Sequence, residues 1–243
     1  QDTYFATVTE ADIARERQVE KIVASNLALW QAEGLVPEMA IEPGYNTNQP
    51  IRERGWTHWH HLFGPRHLLI NALFTEQLKK DARACLWLPN ILDNNNRLCQ
   101  WLPSQGGGLG GPKHLFVNQA FNTFWNYPVR AASSYETLVF KPRPDRFTEV
   151  NTKQQVINAS ASDVRDQVEI FVTDPPYADA VNYHEVTEFF IAWLRKNPPK
   201  PFDEWVWDSR RALAIKGSGE DFRRGMVAAY KAMADHMPDN GIQ

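Results

Sequence analysis

The 243-residue chain carries 26 Lys plus Arg against 29 Asp plus Glu, a formal net charge of -3, with 43% of its residues in the broad apolar set. That length buries one sizeable core or two small ones, and the charge balance excludes a histone-like protein that holds polyanions by bulk charge, so any nucleic-acid contact must come from a local patch. No stretch approaches the roughly 18 consecutive apolar residues of a membrane helix, no charged-then-apolar segment opens the chain, and Cys85 and Cys99 are too few for a zinc site or a disulfide framework. The expected protein is soluble and cytoplasmic, makes no membrane contact, and uses both thiols in packing.

From Thr9 to Trp30, the residues Ile13, Val19, Ile22, Val23, Leu27 and Trp30 recur at helical spacing, with Gly34 as a stop, and predict an amphipathic helix. Pro37 to Gly55 has no period and reads as a long loop. In the segment from Trp56 to His61, His58 and His60 have the spacing of two metal ligands on a strand. Without a carboxylate or cysteine partner they read instead as packed or surface histidines, and no metal is expected. A helix opens after Pro65 and runs to Lys80, with Leu68, Leu69, Ala72, Leu73 and Leu78 on one side. Ala82 to Leu88 reads as more helix. Asp93 to Asn96 and the glycine-rich Ser104 to Pro112 read as loops, and the aromatics Phe116, Phe121, Phe124, Trp125 and Tyr127 as core.

After Lys141 to Arg146 the character of the chain changes. Gln154 to Asn158 reads as a strand, Ser160 to Arg165 as a turn or short helix, and Val168 to Thr173 as a strand ending at Asp174. Val181 to Lys196 is helical, with Tyr183, Val186, Phe189, Phe190, Trp193 and Leu194 at helical spacing and Asn197-Pro198-Pro199 as its end. Glu220 to Met237 is a further helix with Phe222, Met226, Ala229 and Met233 on one face. Asn240 to Gln243 reads as a turn leading into another apolar strand, which with Gln1 at the start marks a piece of something longer. Strand, short connection, strand, sharp loop and helix form an α/β signature, whose parallel sheet carries working residues at its strand C-termini. The expected organisation is a mostly helical, inserted or target-recognising region over 1–147 and a catalytic α/β portion over 148–243.

The chemistry concentrates in Asp174-Pro175-Pro176-Tyr177. An exocyclic amine on a nucleobase is a poor nucleophile because its lone pair is delocalised into the ring. A carboxylate on residue 174 and the carbonyl of Pro175 can each accept one N–H, drawing the nitrogen towards tetrahedral geometry. Two prolines fix the backbone so that both acceptors converge on one point, and Tyr177 offers a face for a base taken out of the duplex. The bland alternative is a proline-rich loop in which Asp174 caps the following helix and Tyr177 packs in the core.

Asp-Pro-Pro-Tyr after an apolar strand resembles motif IV of the amino-directed DNA methyltransferases. The run from Thr173 to Glu185 with Phe189 to Arg195 is similar to the large prokaryotic adenine-specific DNA methylases that accompany helicases and ATPases in phage-defence loci. Phe63-Gly64-Pro65-Arg66-His67-Leu68-Leu69 and Arg97-Leu98-Cys99-Gln100-Trp101 resemble weaker elements of that family. The resemblance implies a partial Rossmann-like fold, S-adenosylmethionine as methyl donor, the N6 amine of an adenine in double-stranded DNA as acceptor, a restriction-modification or defence setting, and helicase or ATPase subunits as partners.

The Phe-x-Gly-x-Gly-type cofactor loop of such enzymes is not in the sequence. Gly106 to Gly111 lacks a preceding strand and reads as a flexible linker, so the loop is expected upstream of Gln1. Ser162 or Asp163 could reach the cofactor's adenine, although a helix cap is the commoner role for either. His184 and Glu185 read as fixing the helix and loop rather than as a base. Phosphate contacts are sought at Lys141, Arg143, Arg146, Arg210, Arg211 and Lys216. The competing functions are transfer to cytosine N4, an RNA adenine or a protein amide, and a non-catalytic DNA-binding or assembly subunit.

Overall fold

A computed structural model describes residues 6–78, 85, 87–102, 111–118, 120–123, 155, 157–175, 182–200, 202–209, 215 and 219–243. Two compact units emerge, Gln1–Phe147 with Val186–Asp208, and Thr148–Glu185 with Ser209–Gln243. Residues 186–208, expected with the catalytic portion, therefore pack with the first unit.

In the first unit, helix α1 (Glu10–Ala32) starts at a capping box: Asp12 N donates to Thr9 Oγ1 at 3.3 Å and Thr9 N to Asp12 Oδ2 at 2.9 Å. The chain leaves α1 through Gly34, whose φ of 73° lies in the left-handed region. Leu35 N and Val36 N then bond back to Trp30 O, and both side chains enter the core. A Cβ on Gly34 would stand 2.5 Å from Lys196 Cβ and from Asn197 Nδ2. Those neighbours are there for a reason: Lys196 Nζ donates to Gln31 O at 2.7 Å, and Asn197 Nδ2 to Glu33 O at 2.9 Å and Gly34 O at 3.2 Å, satisfying carbonyls at the helix end. Gly34→Ala is therefore expected to destabilise the unit by about 1–3 kcal/mol, from left-handed strain plus displacement of this cap. Urea unfolding would read it as a lower midpoint with an unchanged slope.

The expected loop from Pro37 to Gly55 contains a helix, α2 (Asn48–Arg54), ended by Gly55 at φ 66°. Seven residues with a proline in the first turn give no period to find, yet proline there costs no hydrogen bond. Helix α3 (Pro65–Leu78) opens at proline as expected. His67 reaches back so that Gly64 N donates to its Nδ1 at 3.0 Å.

Asp93 to Asn96 is not simply a loop either, because helix α4 (Leu88–Asn94) runs into it. Its exit is held by amides. Asn96 Nδ2 donates to Leu92 O at 2.7 Å, Leu98 N to Asn96 Oδ1 at 2.8 Å, and Asn95 Nδ2 to Asn71 Oδ1 at 2.9 Å. The asparagines that look like loop formers supply the bonds a helix end lacks. The end of the glycine-rich stretch departs from its loop reading as well: β1 (Trp101–Leu102) pairs antiparallel with β2 (Gly111–Pro112), Trp101 opposite Pro112.

Helix α5 (Tyr183–Leu194) gives the first unit its core. Phe189 is fully buried and meets the rings of Trp59, Phe63, Phe116, Phe121 and Phe190 at centroid distances from 5.1 to 6.2 Å, stacked on Phe63 at 15°. Trp193 meets Phe63 edge-on at 5.0 Å. Arg97 N donates to Leu62 O at 2.9 Å, and Leu68, Leu98 and Cys99 are buried. Phe116 and Phe121 join the core as expected, whereas Phe124, Trp125, Tyr127 and most of Ala82 to Leu88 lie outside the described residues. Among the described residues no helix is long and apolar enough to cross a membrane.

In the second unit the 3-10 turn Ala161–Asp163 packs against helix α6 (Glu220–Asp235). Residues 168–173 carry a bend at Glu169, and their described pairing is one parallel bridge, Ile170 with Ile242. Phe171 N donates to Ile242 O and Ile242 N to Glu169 O, each at 2.9 Å. The expected full strand is thus a single bridge among the described residues. At 155, 157 and 158, within the other expected strand, no strand occurs. Between the bridged residues the chain passes through α6 and a turn closed by Gly241 N donating to Pro238 O at 2.8 Å.

Candidate functional site

The segment from Val168 leads through the bridged Ile170 to the candidate motif. Ile170 and Val172 are 62% and 94% exposed, while Thr173 turns to a hollow shared with α6. The segment ends at Asp174, exposed, and Pro175, half-buried. These three residues form one rim of an open hollow of about 260 Å³. The opposite wall comes from α6, where Met226, Ala229, Tyr230 and Met233 succeed one another at helical spacing, with Ala161 and Ile215 completing the lining. Gly225 lets the wall close up, since a Cβ there would lie 3.1 Å from Ile215 Cγ2. The result is an almost wholly apolar chamber with a carboxylate at its mouth.

Asp174 does not cap the helix that follows, because α5 begins at Tyr183, behind Asn182. Pro176 and Tyr177 lie outside the described residues. Ser162 and Asp163 sit in the turn whose Ala161 lines the hollow, but neither lines it. The cap of that turn is Ser160, whose Oγ accepts from Ser162 N at 3.4 Å and pairs with Ser162 Oγ at 2.9 Å. His184 Nε2 lies 3.8 Å from Glu185 Oε1, both side chains nearly buried. Lys141, Arg143, Arg146, Arg210, Arg211 and Lys216 lie outside the described residues. Sequence reasoning found Met226, Ala229 and Met233 as a helix face but missed Tyr230 and Ile215. Tyr230 is four positions from Met226 and so lies on the same helix face, and that spacing was the available signal.

His58, His60 and His61 form a close cluster of rings, with centroids 4.4 to 5.6 Å apart. Gln31 Nε2 donates to His60 Nδ1 at 3.3 Å and Thr57 N to His61 Nδ1 at 3.2 Å, while Thr57 Oγ1 pairs with His58 Nδ1 at 3.0 Å. Among the described residues no group of three His, Cys, Asp or Glu is placed to hold a metal ion.

Burial, then the charges of His61 and His58, lowers the pKa of His60 to about 4. Burial, then Arg97 and Arg66, lowers that of His67 to about 3. Protonation would also remove the acceptor at His67 Nδ1. Both folded values lie below the ordinary 6.5, so the folded state binds fewer protons than the unfolded chain. The stability they contribute is whole above pH 6.5 and is lost as pH falls towards 4 for His60 and 3 for His67. Urea unfolding is expected to show a loss on the order of 2 kcal/mol or more between pH 7.5 and 4.5. His67→Gln, which cannot titrate, should shrink that difference.

Comparison with protein families, with curated proteins and with solved structures found no match. The hollow bounded by the described residues is too small for a whole S-adenosylmethionine. It falls below the roughly 300–1,000 Å³ of sites for drug-sized ligands, Thr173, Asp174 and Tyr230 bring its polar side-chain groups, and no glycine is among its described lining residues. No cofactor-binding step is assigned to these residues.

Proposed function

We propose that the chain is the amine-activating part of an S-adenosylmethionine-dependent DNA methyltransferase with a Rossmann-like sheet, acting on adenine N6 in double-stranded DNA. The observation that carries this reading is the exposed Asp174, followed by Pro175, at the mouth of an apolar hollow and four residues after the bridged Ile170. Two acceptors beside an apolar chamber suit a flat ring bearing an NH2: the ring leaves water, and both N–H groups keep partners. With its two protons held by Asp174 and the Pro175 carbonyl, the amine nitrogen can pyramidalise and free its lone pair. The proton lost on methylation passes to Asp174 or to solvent. One further feature supports the fold: the parallel bridge of Ile170 with Ile242, residues far apart in the chain with α6 among the elements between them. Asp174 then stands where parallel sheets carry their working residues. Subunits of a defence system, a helicase or ATPase, are the proposed partners.

A second reading, a DNA-binding or assembly subunit without transfer activity, is favoured by the sequence lacking a Phe-x-Gly-x-Gly loop. The two separate when the full-length protein is incubated with methyl-labelled cofactor and unmethylated duplex DNA and the nucleosides are analysed. The proposal expects label in N6-methyladenine. Label in N4-methylcytosine moves the acceptor, and DNA binding with no labelled nucleoside supports the second reading.

A further inference from the structure

Within the second unit, the groups facing Asp174 across the hollow belong to one helix face. Met226, Ala229, Tyr230 and Met233 lie at positions i, i+3, i+4 and i+7 of α6. Ala229, 4% exposed, is the smallest of them. Tyr230 stays 38% exposed, an aromatic ring on the wall of an open chamber instead of one packed away. Methionine sulfur and a phenol ring are side chains that hold a π-system well, the first because it is polarizable and adaptable, the second by offset or edge contact. A chamber smaller than a drug-sized site admits one ring system and little more. The carboxylate at its mouth fixes which edge of that ring faces outward, the one bearing hydrogen-bond donors.

We infer that this face of α6 is the binding wall for the acceptor ring, with Tyr230 as the residue that contacts the ring and sets its depth against Asp174. The inference rests on the proposed methyl transfer and deepens it, since it makes an aromatic amine the substrate class. A glutamine amide, which has no ring, gains nothing from Tyr230. It also gives α6 a role that the four-residue motif does not contain.

The test uses the full-length protein with methyl-labelled cofactor and unmethylated genomic duplex DNA, comparing Tyr230→Phe, Tyr230→Ala and Met226→Trp. Tyr230→Phe keeps the ring and should transfer within about twofold of the unsubstituted protein. Tyr230→Ala should lower kcat/KM for DNA about tenfold or more, in the range of losing one base-stacking contact. Met226→Trp should do the same by filling the chamber. None of the three should change cofactor affinity measured by calorimetry, and the partial exposure of Tyr230 protects its variants from a folding failure. Equal transfer by Tyr230→Ala and Tyr230→Phe, or undiminished transfer by Met226→Trp, overturns the assignment of the wall while leaving the methyltransferase standing. No transfer by the unsubstituted protein overturns both.

Discussion

Asp174→Ala should lower methyl transfer by about 10²–10⁴-fold, the range for removing a positioned group that handles the proton of a reacting centre. Thermal unfolding should be unchanged, because Asp174 is exposed, caps no helix and belongs to no core cluster. Asp174→Asn is the sharper variant. It keeps the shape and one acceptor oxygen but replaces the other with an NH2 donor, which would face the donors of the amine. It loses the negative charge as well, so transfer should fall nearly as far as in the alanine variant. The effect belongs in kcat as well as kcat/KM, since the acceptors act on the amine as its charge develops. A fall in stability matching the fall in activity would instead make Asp174 a structural residue.

The largest expected stability effect lies in the other unit. Phe189→Ala should destabilise the protein by about 3–5 kcal/mol, the range for deleting a buried aromatic side chain. Phe189 is fully buried and is the hub at which rings from Trp59, Phe63, Phe116 and Phe121 meet. Four neighbouring rings cannot all collapse into one vacancy, so a cavity remains. Phe189→Leu, which keeps most of the volume, should cost less, about 1–2 kcal/mol. Denaturant unfolding followed by tryptophan fluorescence reads the change directly, because Trp59 and Trp193 share this core. A loss below 1 kcal/mol for the alanine variant would mean that the aromatic cluster is not the centre of the fold.

The long helices were legible because their apolar stripes span several turns. Thr9 with Asp12, and Gly34, mark the ends of α1 by side-chain chemistry that local sequence displays. Helices α2 and α4 were hidden for the opposite reason. Each is seven residues, about two turns, and their proline and asparagines look like breakers until Asn96 is seen donating its amide to Leu92 O at the helix exit and Asn95 tying that exit to Asn71 of α3. The segment before Asp174 was legible as apolar sequence, but its pairing was not, since Ile242 lies far along the chain and a single bridge has no local period. The same limit applies to the candidate site. Asp174 and Pro175 are visible as a motif, whereas Tyr230 and Ile215 acquire meaning only when α6 is set across the hollow from them.

The claim on which the rest depends is geometric: a carboxylate and a main-chain oxygen at the mouth of the hollow hold the NH2 of an extruded base. A crystal structure of the full-length protein with substrate DNA and a non-transferring cofactor analogue measures that arrangement most directly. The account predicts adenine N6 at about 2.7–3.2 Å from an Asp174 carboxylate oxygen and from the Pro175 carbonyl oxygen, with the ring against Tyr230. A target base still stacked in the duplex, or an extruded base whose amine meets neither oxygen, would contradict it.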